Sequence, residues 1–319
     1  MYDVLSVTAP IYLLIAAGFA ATRWGLFERV DMRVFGKYVI NLAFPALLFN
    51  ALSQRQMNEV INPLFIGVYL CGSLIVMVAG IVWARRVVGK GMSLSAVMGM
   101  GMACPNSGFI GFPLVAMAVG PSTGAVALAL AIIVENFFLI PIALAIAGSD
   151  AEQGAPGTRW ARWRAAMLQS LHTVVRNPMI HGLALGFLFL LLDWRLPEPL
   201  SRAVGMLAAS CSAMALLVVG GSLTGQAFRG IWRDVSLIMV GKLLLHPLVV
   251  LLLVMVLPPM PREMQIAVVI LAAVPQMGIY PILAQRYGHD GLAASAQLAT
   301  TVASFVTLNA LLWILRPGS

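Results

Sequence analysis

Charged residues are scarce in this sequence of 319 residues. Asp, Glu, Lys and Arg together make up 10% of it, whereas 61% of the residues are hydrophobic. A soluble domain has about 25% charged residues, because polar groups must cover a surface that faces water. The shortage of charge excludes a soluble globular protein, so we expect an integral membrane protein.

Cysteine is also scarce, and two common signals are missing. Cys71, Cys104 and Cys211 each lie inside an apolar stretch, which predicts small core thiols and argues against a disulfide framework or a metal site. Ala84 stands where a phosphate-binding GxxxxGK[ST] loop requires its first glycine, which argues against an ATP-driven pump. The N-terminal "MYDVLSVTAP" has no basic signal region, so we expect the first apolar segment to be retained.

Long apolar stretches follow one another along the whole chain. Each approaches the ~20 residues that an α-helix needs to cross ~30 Å of hydrocarbon, and the alternating pattern of a membrane β-barrel is not seen. We therefore predict an all-α polytopic membrane protein with ten transmembrane helices. The predicted spans are 4–23, 34–53, 63–83, 93–119, 123–147, 175–192, 200–223, 235–257, 264–286 and 290–314.

Basic residues are concentrated in alternate connections between these spans. Fourteen of the twenty lie at the first, third, fifth, seventh and ninth connections. Cytoplasmic connections carry an excess of Lys and Arg, so we expect the odd connections in the cytoplasm and both termini on the periplasmic side of a bacterial plasma membrane. The longest connection, 148–174, is then a cytoplasmic loop. This placement accounts for the net charge of +8 by topology in a lipid bilayer, so no nucleic-acid partner is expected.

Short motifs recur in the same order in the two halves of the chain. The matched motifs, each 168 to 170 residues apart, are Pro10 and Gly18 with Pro178 and Gly186, "PNSG" at 105–108 with "PQMG" at 275–278, and "VENF" at 134–137 with "VASF" at 302–305. Ordered matches at nearly constant spacing predict a duplicated five-helix unit, residues 1–147 and 175–319. Because five is odd, the second unit enters the membrane from the opposite side, and the repeat is inverted.

Two matched stretches violate the rules of a membrane helix. "ACPNSGFIGFPL" lies in span four and "AVPQMGIYPIL" in span nine, each with a proline that removes a backbone donor. Unwound backbone at this depth must be buried in protein or line a polar cavity, and a half-helix N-terminus with free N–H groups suits a carboxylate. The alternative is that both prolines only kink helices whose neighbours repair the backbone.

We interpret these stretches as a substrate site built from broken helices four and nine. Side-chain amides supply donors and acceptors, and glycines allow another backbone to approach closely. The candidate substrate-binding residues are Pro105, Asn106, Ser107, Gly108, Pro275, Gln276, Gly278 and Asn136. Gln297 and Thr300 in span ten are open as supporting residues beside Gln276, which spacing alone does not decide.

A carboxylate lies in the middle of span five. Glu135 would cost at least a few kcal/mol if it were ionised and unpaired in the bilayer, and its counterpart in the second unit is Ala303. A charged Glu135 would oppose an anionic substrate whereas a protonated one would not, so Glu135 is the candidate for proton coupling. The alternative is a structural carboxyl that stays protonated or is paired with a helix end.

A lysine lies about two turns inside span eight. Lys242 has two interpretations: its long side chain reaches outward to the interface, or it serves as a counter-ion for the substrate. His246, one turn further on and before Pro247, is expected to be a hydrogen-bonded structural histidine.

The duplicated five-span plan, the paired "PNSG" and "PQMG", and "NLAFPALLF" in span two resemble the auxin efflux carrier family, which includes bacterial permeases for malonate and malate and plant auxin exporters. The resemblance implies a ten-helix fold related to that of bile acid symporters, with crossing broken helices four and nine. It also implies a scaffold of spans 1, 2, 6 and 7, a transport domain of spans 3–5 and 8–10, elevator-type alternating access and a homodimer.

We therefore predict a secondary transporter of small organic anions such as mono- or dicarboxylates. The family resemblance favours efflux. No cofactor and no enzymatic activity are expected, and the driving force is open among protons, sodium and membrane potential. A sodium-coupled symporter is the nearest alternative. A channel is less favoured, because each span holds only one or two polar residues and these converge on one depth.

Overall fold

The computed structural model describes residues 2–53, 62–151, 175–224 and 232–315. In these ranges the chain is mostly helical, and the β-pairing is one isolated antiparallel bridge. Most of the predicted cytoplasmic loop 148–174, with Arg159, Arg162 and Arg164, lies outside the described residues, as do Arg55, Arg229 and Arg316.

The described part of the chain contains fifteen α-helical segments. They are α1 (Tyr2–Arg23), α2 (Arg29–Tyr38), α3 (Phe44–Ser53), α4 (Pro63–Arg86), α5 (Met92–Ala103), α6 (Phe112–Val119), α7 (Pro121–Val134), α8 (Ile140–Ala151), α9 (Pro178–Leu191), α10 (Glu198–Ser222), α11 (Trp232–Val240), α12 (His246–Val256), α13 (Arg262–Ala273), α14 (Tyr280–Gln285) and α15 (Asp290–Ile314).

Six continuous helical stretches of the described chain are long and apolar enough to cross a membrane, and some of them join two of the α-helices above through a π-helical turn. Their ranges are Arg29–Ser53, Pro63–Arg86, Pro121–Gly148, Glu198–Ser222, Trp232–Val256 and Asp290–Ile314. Four shorter apolar helices accompany them, at Thr8–Arg23, Met92–Ala103, Ser107–Val119 and Pro178–Leu191. The chain is therefore a polytopic α-helical membrane protein, as its composition indicates.

Four short π-helical turns lie within or between these helices, each just before a proline. They cover Val39–Ala43, Ser107–Gly111, Glu135–Leu139 and Gly241–Leu245, and the prolines that follow two residues later are Pro45, Pro113, Pro141 and Pro247. A proline has no N–H and its ring clashes with the carbonyl four residues earlier. Widening that turn to i→i+5 bonds relieves the clash, so the prolines explain why π-turns form at these places.

The described residues form two compact units. Unit 1 takes its described residues from 1–63, 108–130 and 175–225, and unit 2 takes its described residues from 64–107, 131–174 and 226–319. Each unit is thus assembled from three separate stretches of the chain.

Close helix packing in unit 1 depends on glycine. Helix α1 packs on α10, where Gly18 lies against the backbone of Leu217 and Gly220 against the backbone of Ile15. Helix α9 packs on α3, where Gly186 meets the backbone of Phe49. An added Cβ would collide with main-chain atoms at each place, so these helices approach as closely as small residues permit in membranes.

Unit 2 contains the most completely buried helices of the described chain. Every residue of α5 from Ser95 to Ala103 is buried, and so is every residue of α13 from Ala267 to Ala273. The fully buried Tyr280 on α14 donates its hydroxyl proton to the carbonyl of Val97 on α5 at 3.0 Å.

Cys104 and Cys211 are buried, as expected for core thiols, but Cys71 is exposed on α4, so that part of the prediction is wrong.

Candidate functional site

Two helices of unit 2 stop where the sequence predicts interruptions. Helix α5 ends at Ala103 and α13 at Ala273, and the residues that follow, Cys104 and Val274, are extended. Pro105 and Gln276 then form an antiparallel bridge. The interruptions are confirmed, and the alternative of two merely kinked helices is wrong.

The bridge satisfies part of the backbone that the interruptions release. The N–H of Asn106 donates to the carbonyl of Pro275 at 2.7 Å, and the N–H of Met277 donates to the carbonyl of Cys104 at 3.3 Å. Buried main-chain groups need partners, and here each broken segment supplies them to the other. These two N–H groups are consequently not available to a carboxylate, which corrects the expectation that freed backbone donors would bind it.

The side-chain amide of Gln276 is hydrogen-bonded through its oxygen but not through its nitrogen. Its Oε1 accepts a hydrogen bond from the hydroxyl of Thr300 on α15. Its Nε2 is buried and has no hydrogen-bond partner among the described residues. Water does not replace the missing partner readily, because Gln276 is only 1% exposed. Gln297 donates to the carbonyl of Met277 at 3.2 Å, so both residues left open by the sequence do lie beside Gln276.

Glu135 is held by two hydroxyl groups. Its Oε1 accepts a hydrogen bond from Tyr69 at 2.6 Å and another from Ser107, and the carboxylate is only 9% exposed. Both donors bind the same oxygen, so a proton on this carboxyl group belongs on Oε2 and its arrival leaves the two bonds in place. Ser107, predicted as a substrate ligand, is therefore directed at Glu135.

Lys242 is fully buried and belongs to a hydrogen-bonded chain. Its Nζ donates to the carbonyl of Ala272 at 2.7 Å and lies 2.8 Å from Nδ1 of His246, whose Nε2 lies 2.9 Å from the hydroxyl of Ser73. A protonated lysine can only donate, so His246 accepts at Nδ1 and donates from Nε2. The interpretation in which Lys242 reaches the interface is wrong, because its ammonium group ends at α13. His246 is hydrogen-bonded and buried, as expected.

Three predicted ligands have surroundings that differ from the reason given for them. The hydrogen bond recorded for the Asn136 amide goes to the carbonyl of Ile132 in its own helix. A Cβ on Gly108 would meet the ring of Phe44, and a Cβ on Gly278 would meet nothing within 4 Å. Close approach of another backbone therefore explains neither glycine, and the role of these three residues in binding stays a prediction.

The polar cluster of unit 2 contains Glu135, Ser107, Lys242 and His246. Tyr69 and Ser73 also belong to this cluster, and sequence reasoning missed both. They lie four residues apart on α4, so both face the same side of that helix. The ring of Tyr69 stacks on that of His246 with centroids 6.4 Å apart, which joins the Glu135 group to the Lys242 group. Two polar residues at i and i+4 in an apolar span were the available signal.

Unit 1 holds a separate cavity of about 470 Å³. Its walls come from α1, α3, α6, the start of α7 and α10, and its lining is apolar apart from Asn50 and Ser212. No charged side chain is among these lining residues. Moving a charged ligand out of water requires charged or strongly polar partners, and this cavity offers only two uncharged polar side chains.

No group of three or more His, Cys, Asp or Glu side chains that could hold a metal ion occurs in the described parts of the chain. The polar side chains instead converge on an interrupted backbone inside a helical membrane protein. Such a combination is typical of a membrane transporter.

Comparison with known proteins agrees. The model of a family described as "Membrane transport protein" matches residues 3–314, so the chain belongs to this family, the auxin efflux carrier family that its motifs resemble. It is a membrane transporter and not an enzyme.

Relatives from bacteria and an archaeon match along nearly their full lengths. A Rhizobium meliloti protein named "Putative malonate transporter" is 26% identical, with 100% of this chain and 98% of that protein covered. The "Uncharacterized transporter YfdV" of Escherichia coli strain K12 is 25% identical, with 96% and 95% covered. An "Uncharacterized transporter" of Methanothermobacter thermautotrophicus is 24% identical, with 93% and 94% covered.

Proposed function

We propose that this transporter carries small organic anions, mono- or dicarboxylates, and binds them beside the bridge between residues 105 and 276. The observation that carries the proposal is the Nε2 group of Gln276, a buried donor that has no partner among the described residues. Leaving such a group unsatisfied costs about 1–3 kcal/mol, and a carboxylate oxygen would satisfy it with a charge-assisted bond. Asn106 and Pro105 contribute the other side of the site.

Lys242 supplies a positive charge to the same unit. Its ammonium group is bonded to the last turn of α13, the helix that leads into the interruption. A positive charge buried in low dielectric attracts an anion more strongly than one in water. Lys242 is accordingly proposed as the counter-ion that lowers the cost of moving a carboxylate into the membrane. The name of the Rhizobium meliloti relative supports the same substrate class.

Ten transmembrane helices in two inverted repeats are proposed as the architecture. Helix bounds support the duplication. Arg29–Ser53 begins and ends 169 residues before Glu198–Ser222, and Met92–Ala103 begins and ends 170 residues before Arg262–Ala273. The packing partners also match. Helix α1, the first span of the first repeat, packs on α10, the second span of the second repeat, and α9, the first span of the second repeat, packs on α3, the second span of the first repeat.

Elevator-type alternating access is proposed for the transport cycle. Predicted spans 1, 2, 6 and 7 fall in unit 1, which also contains residues 108–130, while the interrupted segments 104–106 and 274–279 fall in unit 2. Unit 2 is the proposed transport body and unit 1 the scaffold of a homodimer. The termini are proposed to lie outside a bacterial plasma membrane. An interior-negative potential favours efflux of an anion by ~2.3 kcal/mol per charge per 100 mV.

Proton coupling through Glu135 is preferred to sodium coupling. Sodium requires a cluster of oxygen ligands, whereas the Ala272 carbonyl at the end of α13 is already occupied by the ammonium group of Lys242. Glu135, with two hydroxyl donors on Oε1, is able to hold a proton on Oε2. A protonated Glu135 removes the repulsion between its charge and an anionic substrate.

Flux measurements in proteoliposomes test the function. Mono- and dicarboxylates, malonate among them, are assayed for uptake and efflux with pH, sodium and voltage gradients imposed separately. Asn106→Ala and Gln276→Ala should each reduce flux about tenfold or more, because each loses donors to the carboxylate. Asn309→Ala is the matched control, since its amide bonds the carbonyl of Phe305 in its own helix on an exposed face. Normal affinity in both site variants would refute the proposed site.

A further inference from the structure

The Thr300 hydroxyl has one proton and more than one acceptor within reach. Its Oγ1 contacts Oε1 of Gln276, lies 2.7 Å from the carbonyl of Ala296 in its own helix, and lies 3.1 Å from that of Gln297. Thr300 is completely buried, so water does not add a donor. The acceptor that takes this proton decides which end of the Gln276 amide faces Thr300.

Two arrangements of the pair follow from this count. If Thr300 donates to Oε1, the amide presents its Nε2 donors to the site. If Thr300 donates to Ala296, it can accept from Nε2 only when the amide is turned over, and the amide then presents Oε1. The carbonyl of Ala296 already has a helical partner, so the first arrangement leaves no backbone acceptor empty. The first arrangement offers hydrogen to a ligand, and the second offers a lone pair.

We propose that Thr300 is a positioning residue that holds the Gln276 amide with Nε2 toward the ligand, and so makes the site selective for a carboxylate over its uncharged amide analogue. This inference rests on the proposed function, since it concerns the same site. The described structure has the first arrangement, with Oε1 on Thr300 and Nε2 without a partner.

Selectivity follows from the chemistry of the exposed group. A carboxylate has only acceptors, so it binds an amide that presents N–H and is repelled by one that presents oxygen. An uncharged amide has both donors and acceptors and can bind either orientation. Loss of the Thr300 hydroxyl frees the Gln276 amide to rotate, which weakens binding of the carboxylate and leaves the amide ligand nearly unaffected.

Binding measurements on the purified full-length protein test this role. Dissociation constants for malonate and for malonamide are measured in wild type, Thr300→Val, Thr300→Ser, Gln276→Ala and Thr301→Val. Valine keeps the shape of threonine without the hydroxyl, and serine keeps the hydroxyl. Thr301→Val is the matched control, because the hydroxyl of Thr301 bonds only the carbonyl of Gln297 in the described contacts. Thr300→Ala serves if valine impairs folding, as judged by thermal unfolding.

We expect Thr300→Val to weaken malonate binding about tenfold and malonamide binding less than about twofold, so that the ratio of the two affinities collapses. Thr300→Ser and Thr301→Val should keep the wild-type ratio. Equal losses of affinity for both ligands in Thr300→Val, or no loss for malonate, would overturn the inference. Weaker malonate binding in Gln276→Ala would in that case still support the proposed site. Wild-type protein that binds neither malonate nor any other carboxylate of the panel would overturn the proposed function and this inference together.

Discussion

The ammonium group of Lys242 donates to the carbonyl oxygen of Ala272 at 2.7 Å, one residue before α13 ends. The last four carbonyls of a helix have no N–H partner within the helix, and a cation there also interacts favourably with the helix dipole. A buried lysine thus caps the helix that leads into the interruption.

Replacing this lysine tests whether the cap and its charge are needed. Lys242→Met should reduce anion flux more than tenfold and lower the thermal unfolding midpoint, because the Ala272 carbonyl and Nδ1 of His246 both lose their donor. Lys242→Arg should recover part of the stability, since the charge remains. Lys37→Met, which removes an exposed charge of unit 1, is the control for net charge. Wild-type flux in Lys242→Met would show that the charge serves no purpose in transport.

Glu135 should determine the pH dependence of transport. Glu135→Gln resembles the protonated carboxyl group and cannot ionise, so its flux should equal that of the wild type at low pH. As pH rises, wild-type flux should fall because the charge that forms on Glu135 opposes the anion, whereas the variant should stay constant. Flux in proteoliposomes at a series of symmetric pH values measures this. Parallel pH profiles for the two proteins would remove Glu135 from the coupling step.

The hydroxyl donors to Glu135 should tune that profile. Tyr69→Phe removes the 2.6 Å bond to Oε1 and should make the ionised carboxylate less stable, which extends high flux to higher pH. Tyr38→Phe is the matched control, because its hydroxyl bonds Ser210 in unit 1, 2.7 Å away. A shift of the profile to lower pH in Tyr69→Phe would contradict the assigned role.

The prolines after the π-turns should set the direction of the side chains within those turns. Pro247→Ala allows the π-turn Gly241–Leu245 to become α-helical, which turns the preceding residues by about 100° relative to α12. Lys242 should then lose the Ala272 carbonyl, and flux should drop severalfold. Pro121→Ala, at the first position of α7, should be neutral, because no intrahelical donor is needed there. A structure of Pro247→Ala that keeps the π-turn would show that tertiary packing, and not proline, produces it.

Glycine contacts in unit 1 should limit what the fold tolerates. In Gly220→Ala the new Cβ overlaps the carbonyl oxygen of Ile15, so we expect destabilisation of about 1–3 kcal/mol and loss of folded protein. Gly205→Ala lies on the same helix with nothing within 4 Å of its Cβ, and it should be neutral or slightly stabilising. Thermal unfolding of both variants in detergent gives the comparison. Equal midpoints would mean that α1 and α10 separate easily.

Much of the helical plan could be predicted from the sequence. Predicted spans 34–53, 63–83 and 290–314 lie within or on helices at Arg29–Ser53, Pro63–Arg86 and Asp290–Ile314, because long apolar runs are local signals. The interruptions near Pro105 and Pro275 were also predictable, since proline acts on its own turn. Domain organisation, orientation and oligomeric state stay predictions.

Side-chain partners were much harder to predict. The sequence indicated Glu135 and Lys242 as costly charges in a membrane, but it did not indicate Tyr69, Ser73 or the Ala272 carbonyl as their partners. Residues that meet across helices are far apart in the chain, and one polar residue in an apolar span has several possible neighbours. The interface interpretation of Lys242 and the core prediction for Cys71 were wrong because both judged exposure along one helix, while the counter-ion role of Lys242 stays a prediction.

The sequence by itself determined that the chain is a helical membrane protein, where its backbone must break, and which charges demand an explanation. These properties depend on hydrophobicity and on local backbone chemistry, which act within a turn or a span. Only the tertiary structure decided that the two broken segments pair through Asn106 and Pro275, that Lys242 caps α13, and that Gln276 is left with a buried donor. Hydrogen bonds are directional and short, so their pairing depends on how distant helices pack.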